Sequence, residues 1–253
     1  MTLKFIKNNL LRWFLDHGHY ISLTLLVMPI SYFEIFIVLP TVIEQWSLAF
    51  ICHLCCANFI IFNIIGNIIY GTLTNTTIKC INLEGFNKEE WTLCSVCECL
   101  RPPRAWHCDT CEICVLRRDH HCRFLACCIG YYNHRYFMFL MFYSCMGMTY
   151  ALYFNIRYVS LFVTWNHMLI MKFICPFGGL VLDYGTESCC AFLLVMNVLV
   201  GLTTGGLFIY HFNNLQNEVF GSRWYLTWIS PLIHSKLPGN GVEWPVENKF
   251  KIC

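Results

Sequence analysis

Long apolar stretches dominate the pattern of hydrophobic and polar positions along this chain. A helix needs about 20 apolar residues to cross the hydrocarbon core of a bilayer. Four stretches are of this order, and all but the first lack any charged residue: Tyr20–Pro40, Trp46–Tyr70, Phe137–Asn155 and Cys189–Phe212. The pattern therefore predicts four transmembrane helices.

A further apolar piece, Leu161–Leu182, is interrupted by Lys172, by Pro176 and by a pair of glycines. Proline and glycine both disfavour a continuous helix. We therefore expect this piece to form a loop that lies along the membrane rather than a fifth span.

The composition agrees with a membrane protein. Apolar residues make up 57% of the 253 residues, charged residues make up 13%, and the mean hydropathy is +0.52. A soluble domain usually carries about 25% charged residues. The formal net charge of +2 adds little, so the placement of the charges is more informative than their sum.

Basic residues cluster between the second and third predicted spans. Residues 71–136 hold eight Lys and Arg, whereas 41–45 hold none and 156–188 hold two. The positive-inside rule then places the basic segment and both termini in the cytosol. Cytosolic thiols stay reduced, so the nine cysteines between 94 and 128 indicate metal binding rather than disulfides.

The predicted fold class is an all-α membrane protein with four transmembrane helices and a cytosolic, two-zinc, cysteine-rich insert between helices 2 and 3. An insert of this size usually needs cross-links to fold, and Arg101-Pro102-Pro103-Arg104 favours turns and short hairpins within it. The predicted domains are the N-terminal tail with helices 1 and 2 (1–79), the zinc-binding catalytic insert (80–133), helices 3 and 4 with a non-cytosolic loop (134–212) and the cytosolic C-terminal tail (213–253).

The cysteines and histidines of the insert follow one spacing twice. The pattern C-x2-C-x9-H-x6-C recurs fourteen residues later. Each copy supplies three thiolates and one imidazole, a closed tetrahedral group of ligands typical of structural zinc. The first ligand set is Cys94, Cys97, His107 and Cys114, and the second ligand set is Cys108, Cys111, His121 and Cys128. We expect one Zn²⁺ in each set.

The same spacing leaves Cys122 without a metal, because a third set would need a ligand where Leu125 stands. His120 also belongs to neither set. A thiol beside an imidazole is the basis of a nucleophile with its base, and Asp119 can orient that base. The insert runs directly into the third span, so we expect Cys122 at the membrane surface. The alternatives are that Cys122 is an inert thiol or exchanges with a metal ligand, and that His120 only forms hydrogen bonds beside the metal ligands.

Arginines surround these residues, and the guanidinium group suits phosphate. Arg117, Arg118 and Arg123 flank Asp119–Cys122, and Phe124 can cover an apolar chain. A ligand with an acyl chain and several phosphates, acyl-coenzyme A, matches this combination. The alternative is that the arginines only set the membrane topology or contact anionic headgroups.

The chain resembles the protein S-palmitoyltransferases that are named for an Asp-His-His-Cys motif. The resemblance rests on both C-x2-C pairs, Arg101-Pro102, Asp119–Cys122, Cys128-Ile129-Gly130 and Asn133. It implies that Cys122 accepts a palmitoyl group from palmitoyl-CoA and passes it to membrane-proximal cysteines of client proteins, with His120 as base and Asp119 as its partner. It also implies two structural zinc ions on the same eight ligands, a bilayer partner and an endomembrane location in the Golgi or endoplasmic reticulum. The basic residues form no recognition-helix pattern, so we expect no nucleic-acid partner.

The chain departs from the family pattern at three places. Arg123-Phe124 replaces the usual Pro-Trp, Cys127 stands where Asn is common, and the Thr-Thr-x-Glu element after the fourth span is not found. Cys127 can either accept an acyl group from Cys122 or simply pack. The lost element favours the alternative function, a catalytically degenerate zinc-containing membrane scaffold or adaptor, whereas the intact Asp119–Cys122 motif favours the enzyme.

Overall fold

The computed structural model describes residues 27–28, 30–78, 85–162, 174–176, 185–237 and 239–242. We number the helices of these ranges along the chain. They are α1 (Ile30–Val42, with a π-helical part at Glu34–Val38), α2 (Leu48–Leu73), α3 (His134–Phe162), α4 (Thr186–Val219) and α5 (Trp224–Thr227). The described residues between α2 and α3 include six short strands.

Three described helices are long and apolar enough to cross a membrane. They are Leu48–Leu73, His134–Leu161 and Ser188–Asn213, with mean hydropathies of 2.2, 1.4 and 2.1. They correspond to the second, third and fourth predicted spans. The first predicted span, Tyr20–Pro40, lies partly outside the described residues, and its described end belongs to the shorter α1. The predicted loop Leu161–Leu182 lies mostly outside them as well, so the number of four spans stays a prediction.

The structure divides into two compact units, and the second contains the described residues of Ser22–Ile65 and Met138–Asn214. Its core joins α1, α2, α3 and α4 through Val38, Leu39, Phe50, Phe154, Tyr158, Val159 and Cys190. Gly147 of α3 allows α2 to approach closely, because a Cβ there would lie 3.1 Å from the Ile60 side chain. Within the apolar bundle, the Asn155 amide donates a hydrogen bond to the Glu34 carboxylate.

The first unit contains the described residues of Gly66–Phe137 and of Leu215–Cys253. Three antiparallel hairpins form its insert: β1 with β2, β3 with β4 and β5 with β6. The strands are β1 (Thr92–Cys94), β2 (Cys99–Arg101), β3 (Trp106–Cys108), β4 (Ile113–Val115), β5 (His120–Cys122) and β6 (Cys127–Ile129). Equivalent strands start fourteen residues apart, so the sequence repeat is also a repeat of backbone structure, and it includes a third hairpin.

The three hairpins turn through the same unusual backbone conformation. Glu98, Glu112 and Ala126 have φ angles of 50°, 55° and 50°, and each directly precedes the second strand of its hairpin. Left-handed conformations are uncommon for residues other than glycine. In the third hairpin Leu125 occupies the place of the second cysteine and is 0% exposed. A buried apolar side chain therefore stands where each of the other two turns has a cysteine that is a predicted metal ligand.

The chain after α4 packs back onto this unit. Arg135 donates a hydrogen bond to the Ser235 carbonyl at 3.2 Å, and the Tyr131 hydroxyl donates to the Gly239 carbonyl at 3.1 Å. Val242 is buried in the same core cluster as Leu116. In a chain without Thr-Thr-x-Glu, these contacts hold the tail against the segment that follows the third hairpin.

Asn133 connects the end of the third hairpin with helix α2. Its side-chain oxygen accepts a hydrogen bond from the Gly130 amide at 2.8 Å. Its side-chain NH₂ donates to the carbonyls of Gly71 and Cys128 at 3.0 and 2.9 Å. The residue is 1% exposed, so water cannot replace these partners.

The substitution Asn133→Ala is therefore expected to destabilise the unit by about 3 kcal/mol, because it removes these bonds and leaves buried backbone groups unpaired. Thermal unfolding of the detergent-purified protein measures the effect. Asn87→Ala is the control: its side chain is exposed and accepts one hydrogen bond, from the Glu89 amide, so the melting temperature should change much less. Equal melting temperatures for both variants would show that the Asn133 amide is not a structural connection.

Candidate active site and metal centres

The structure gathers both predicted ligand sets. The ligand atoms of each set lie within 4.8 Å of one another. Each set joins two neighbouring hairpins. The first hairpin supplies two cysteines, one at the end of its first strand and one in its turn. The next hairpin supplies the other two ligands from its central residue pair. These central pairs are His107 with Cys114 and His121 with Cys128. The insert thus holds two Cys/His clusters that can bind metal ions.

The spacing of the ligand atoms fits tetrahedral zinc. His107 Nδ1 lies 3.2 Å from Cys97 Sγ and 3.8 Å from Cys114 Sγ. His121 Nδ1 lies 3.2 to 3.8 Å from the three sulfurs of its set. A tetrahedral Zn²⁺ with Zn–S of about 2.3 Å and Zn–N of about 2.0 Å separates sulfur from nitrogen by about 3.5 Å. Asp109 Oδ1 lies 3.6 Å from His107 Nε2, where a carboxylate commonly orients a ligating imidazole.

In each ligand set, burial and the neighbouring thiols disfavour the ionised form of a cysteine when no cation is bound. Burial, followed by hydrogen bonding with Cys94 and Cys97, raises the pKa of Cys114 far above its usual value. Hydrogen bonding with Cys111, followed by burial, does the same to the pKa of Cys128. Metal binding replaces the protons of such thiols, and the donor chemistry of both sets therefore suits Zn²⁺.

Arg118 lies against the second ligand set. Burial lowers the pKa of its guanidinium, but hydrogen bonding to Cys128 and the charge of Cys108 outweigh burial and raise it. A zinc ion with three thiolates and one imidazole carries one net negative charge. Arg118 can balance that charge, a role that the spacing of the sequence did not indicate.

Cys122 lies outside both sets. It ends β5, and its partner across the hairpin is Cys127. Neighbouring residues of a strand point to opposite faces, so Cys122 faces away from the metal set to which His121 belongs. Cys122 is 5% exposed. Burial, followed by the charges of Cys122 and Cys128, raises the pKa of Cys127 to about 12.

Asp119, His120 and Cys122 form a hydrogen-bonded series. His120 Nδ1 lies 2.6 Å from Asp119 Oδ2, and the imidazole also hydrogen-bonds the Cys122 side chain. Since Asp119 engages Nδ1, Nε2 is the nitrogen left for the thiol. Burial lowers the pKa of His120, but the hydrogen bonds to Asp119 and Cys122 and their charges outweigh burial and raise it to about 9. Phe137 packs edge-to-face on the imidazole at 5.0 Å.

An open cleft of about 220 Å³ reaches this series from the side of Asp119. Two of the four predicted coenzyme-A-binding residues, Arg117 and Arg118, line it. Arg123 and Phe124 are exposed in the turn between β5 and β6 and do not belong to its lining. Among the described residues, those that line the cleft are Arg104, Trp106, Arg117, Arg118, Asp119 and His134.

Comparison with known proteins identifies the family. A sequence model described as DHHC palmitoyltransferase matches residues 87–220, which is more than half of the chain. Probable palmitoyltransferase ZDHHC24 of Homo sapiens is 31% identical over 219 residues, which cover 75% of this chain and 77% of that protein. The chain belongs to the DHHC palmitoyltransferase family.

Two further relatives are similar to this chain at about the same level of identity. Probable palmitoyltransferase ZDHHC24 of Danio rerio is 31% identical over 223 residues, covering 77% of this chain and 75% of that protein. Palmitoyltransferase PFA3 of Debaryomyces hansenii is 32% identical over 147 residues, covering 54% of this chain and 32% of that protein. As a DHHC palmitoyltransferase, the chain is a protein S-palmitoyltransferase, and its apolar helices agree with a membrane-bound enzyme.

Sequence reasoning on this DHHC palmitoyltransferase missed three residues beside the site. Phe137 contacts His120, and Trp106 and His134 line the cleft with Asp119. Trp106 aligns with His120 under the fourteen-residue shift, which was the one available signal for its position. Phe137 and His134 belong to α3, and only the folded chain brings this helix to the site.

Proposed function

We propose that this palmitoyltransferase works by a ping-pong mechanism in which Cys122 carries the acyl group from palmitoyl-CoA to a client cysteine. The observation that supports this most directly is the hydrogen-bonded series of Asp119, His120 and Cys122. It has the arrangement of an orienting carboxylate, a base and a nucleophile. Cys122 also belongs to neither ligand set, so metal binding does not compete with its chemistry.

In the first step His120 takes the thiol proton of Cys122. Burial lowers the pKa of His120, but hydrogen bonds and charge from Asp119 and Cys122 outweigh burial and raise it, so the imidazolium formed by this transfer is stabilised beside the Cys122 thiolate. The Cys122 sulfur then attacks the thioester carbonyl of palmitoyl-CoA. The carbon–sulfur bond to coenzyme A breaks, and the departing thiolate takes the proton from His120.

The second step reverses these roles. The thiol of a client cysteine gives its proton to His120 and attacks the carbonyl carbon of the Cys122 thioester. The new carbon–sulfur bond forms on the client, and the Cys122 thiolate leaves and recovers the proton from His120. The same histidine therefore serves as base and acid in turn.

The arginine-lined cleft supports a site for the phosphates of coenzyme A. Arg104 and Arg117 line the cleft beside Asp119, and guanidinium groups pair well with phosphate. Arg118 also lines the cleft, and it hydrogen-bonds Cys128 of the second ligand set as well. Arg123 and Phe124 stand at the surface of the neighbouring turn, where we assign them to a phosphate and to the acyl chain respectively.

The position of Cys122 supports a donor whose chain stays in the hydrocarbon. The third hairpin contacts the ends of two apolar helices, through Cys127 with Gly71 of α2 and through His120 with Phe137 of α3. We propose that the thioester is attacked at the bilayer surface, with the acyl chain in the membrane and coenzyme A in the cytosol. Clients would then be proteins with membrane-proximal cysteines.

We further propose that both ligand sets bind structural Zn²⁺. The closed sets of three thiolates and one imidazole support zinc as a cross-link, which when bound joins neighbouring hairpins and supplies no step of the reaction. His121 would then hold the strand that carries Cys122. A metal count on the purified protein tests this assignment directly.

The membrane topology can be inferred from the placement of the basic residues. We propose four spans, with the insert of residues 80–133 and the tails in the cytosol, in a Golgi or endoplasmic reticulum membrane. The three described apolar helices and the eight Lys and Arg of residues 71–136 support this orientation. Protease protection of tagged termini in sealed vesicles tests it.

Mass spectrometry after incubation with palmitoyl-CoA tests the function. We expect a palmitoyl adduct on Cys122 that neutral hydroxylamine removes, because thioesters are cleaved under these conditions. A protein that keeps its metal but carries no adduct would instead support the degenerate scaffold. The family membership and the intact Asp119–Cys122 motif favour the enzyme.

The substitution Asp119→Asn is expected to slow acylation of Cys122 about 10² to 10⁴-fold. The amide has no charge to stabilise the protonated imidazole, and its NH₂ favours the wrong tautomer of His120. Single-turnover acylation with palmitoyl-CoA measures the rate. Glu89→Gln, an exposed carboxylate change in the same insert, is the matched control. Equal rates for the two variants would remove Asp119 from the mechanism.

A further inference from the structure

A second thiol lies directly opposite the acyl-carrying cysteine. Cys122 and Cys127 are partners in the register of the β5–β6 hairpin. Directly opposed residues of antiparallel strands have Cα atoms about 4.5 to 5.5 Å apart, and their side chains share one face of the hairpin. That face is opposite to the one on which His121 and Cys128 meet the second ligand set. Cys127 is thus the cross-strand neighbour of Cys122 and belongs to neither ligand set.

The surroundings of Cys127 hold its side chain in place. Its sulfur lies 3.7 Å from the Gly71 carbonyl and 3.9 Å from the Asn133 amide nitrogen. Cys127 is half-buried, so its thiol is partly protected from solvent and still accessible to Cys122, its partner across the hairpin. The contacts connect Cys127 to α2 and to the base of the third hairpin.

We propose that Cys127 is a second acyl acceptor, which takes the palmitoyl group from Cys122 within the same molecule. This inference rests on the proposed acylation of Cys122. The Cys127 sulfur attacks the thioester carbonyl on Cys122, a new carbon–sulfur bond forms at Cys127, and the bond at Cys122 breaks. The proton of the Cys127 thiol passes to the departing Cys122 sulfur. One thioester replaces another, so the exchange needs no further reagent.

The transfer lets Cys122 take up a second acyl group while the first is stored at Cys127. Because the Cys127 thiol is sheltered by its contacts with Gly71 and Asn133, it must be released before it can react. The second acylation is therefore slower than the first. The label bound per protein should rise in two phases and end about twofold above the level of a protein that can only load Cys122.

The chain offers a matched comparison in its own first hairpin. Cys99 lies opposite Cys94 in the register of β1 and β2, as Cys127 lies opposite Cys122. Cys94 belongs to the first ligand set and should carry no acyl group. Cys99 has the same hairpin position as Cys127 without an acyl donor beside it, so Cys99→Ser controls for the loss of a hairpin thiol.

The experiment incubates the full-length, metal-loaded protein with palmitoyl-CoA and locates adducts by intact-mass and peptide mass spectrometry over time. We expect hydroxylamine-sensitive adducts first on Cys122 and then on Cys127. Cys127→Ser should retain the Cys122 adduct and lose the second phase, whereas Cys99→Ser should show both phases. In Cys122→Ser neither residue should be modified, because Cys127 receives its acyl group only through Cys122.

Two results would overturn the relay. The first is a single phase with an adduct on Cys122 alone, which leaves the proposed function intact and removes Cys127 from it. The second is a Cys127 adduct in Cys122→Ser, which shows direct modification by the donor. Failure of the proposed function looks different, since neither cysteine of the unmodified sequence would then acquire an adduct.

Discussion

Cys122→Ser is expected to abolish acylation of the enzyme and of its clients while both ligand sets keep their metal. Serine retains the shape of the side chain, but its hydroxyl is a far weaker nucleophile than a thiolate and cannot form a thioester. Cys122 faces away from the second ligand set, so no metal ligand is lost. Incubation with labelled palmitoyl-CoA, followed by hydroxylamine, should show signal for the unmodified sequence and none for the variant.

The metal content and melting temperature of Cys122→Ser serve as the internal control. Both should equal those of the unmodified protein, because the residue supplies neither a ligand nor a large apolar surface. Retained hydroxylamine-sensitive label in this variant would place the acyl group on another residue and end the proposed mechanism. Loss of metal would show instead that Cys122 is a ligand.

Cys108→Ala is expected to release metal from the second ligand set and to unfold the adjoining hairpins. Cys108 occupies the same position in its hairpin as Cys122, fourteen residues earlier. Structural zinc contributes about 10 kcal/mol or more to the folding of small domains. The insert has few buried apolar residues to replace that contribution, so proteolysis of the insert should accelerate sharply.

Comparing Cys108→Ala with Cys122→Ser distinguishes a structural metal ligand from a nucleophile at equivalent hairpin positions. Zinc per protein should fall from two to one or less in the first variant and stay at two in the second. Acylation should be lost in both, for different reasons. If Cys108→Ala retained two zinc ions and a normal melting temperature, the second ligand set would not be a metal centre.

Much of the site could be predicted from the order of residues alone. The fourteen-residue shift separated the eight ligands from Cys122, and the structure brings the same eight into two clusters. The ligands of one zinc site are cysteine and histidine residues at short, regular spacings, so such a site can be recognised in the local sequence. The second, third and fourth predicted spans likewise coincide with long apolar helices, while the first stays a prediction.

The coenzyme-A-binding residues were harder to predict, because a basic residue has several uses. Arg118 contacts the second ligand set as well as the cleft. Arg117 is 5% exposed, while Arg123 is exposed in a turn away from the lining. The sequence shows that these three arginines are close along the chain, but it does not show which way each side chain points.

The sequence by itself determined the membrane character, the two ligand sets and the thiol that belongs to neither. These depend on composition and on a local spacing that repeats after fourteen residues. Only the tertiary structure decided that Cys127 opposes Cys122, that Asn133 connects the hairpin to Gly71, and that Arg135 holds the tail through Ser235. Such contacts join residues whose separation along the chain carries no periodic signal, so the fold must form before they exist.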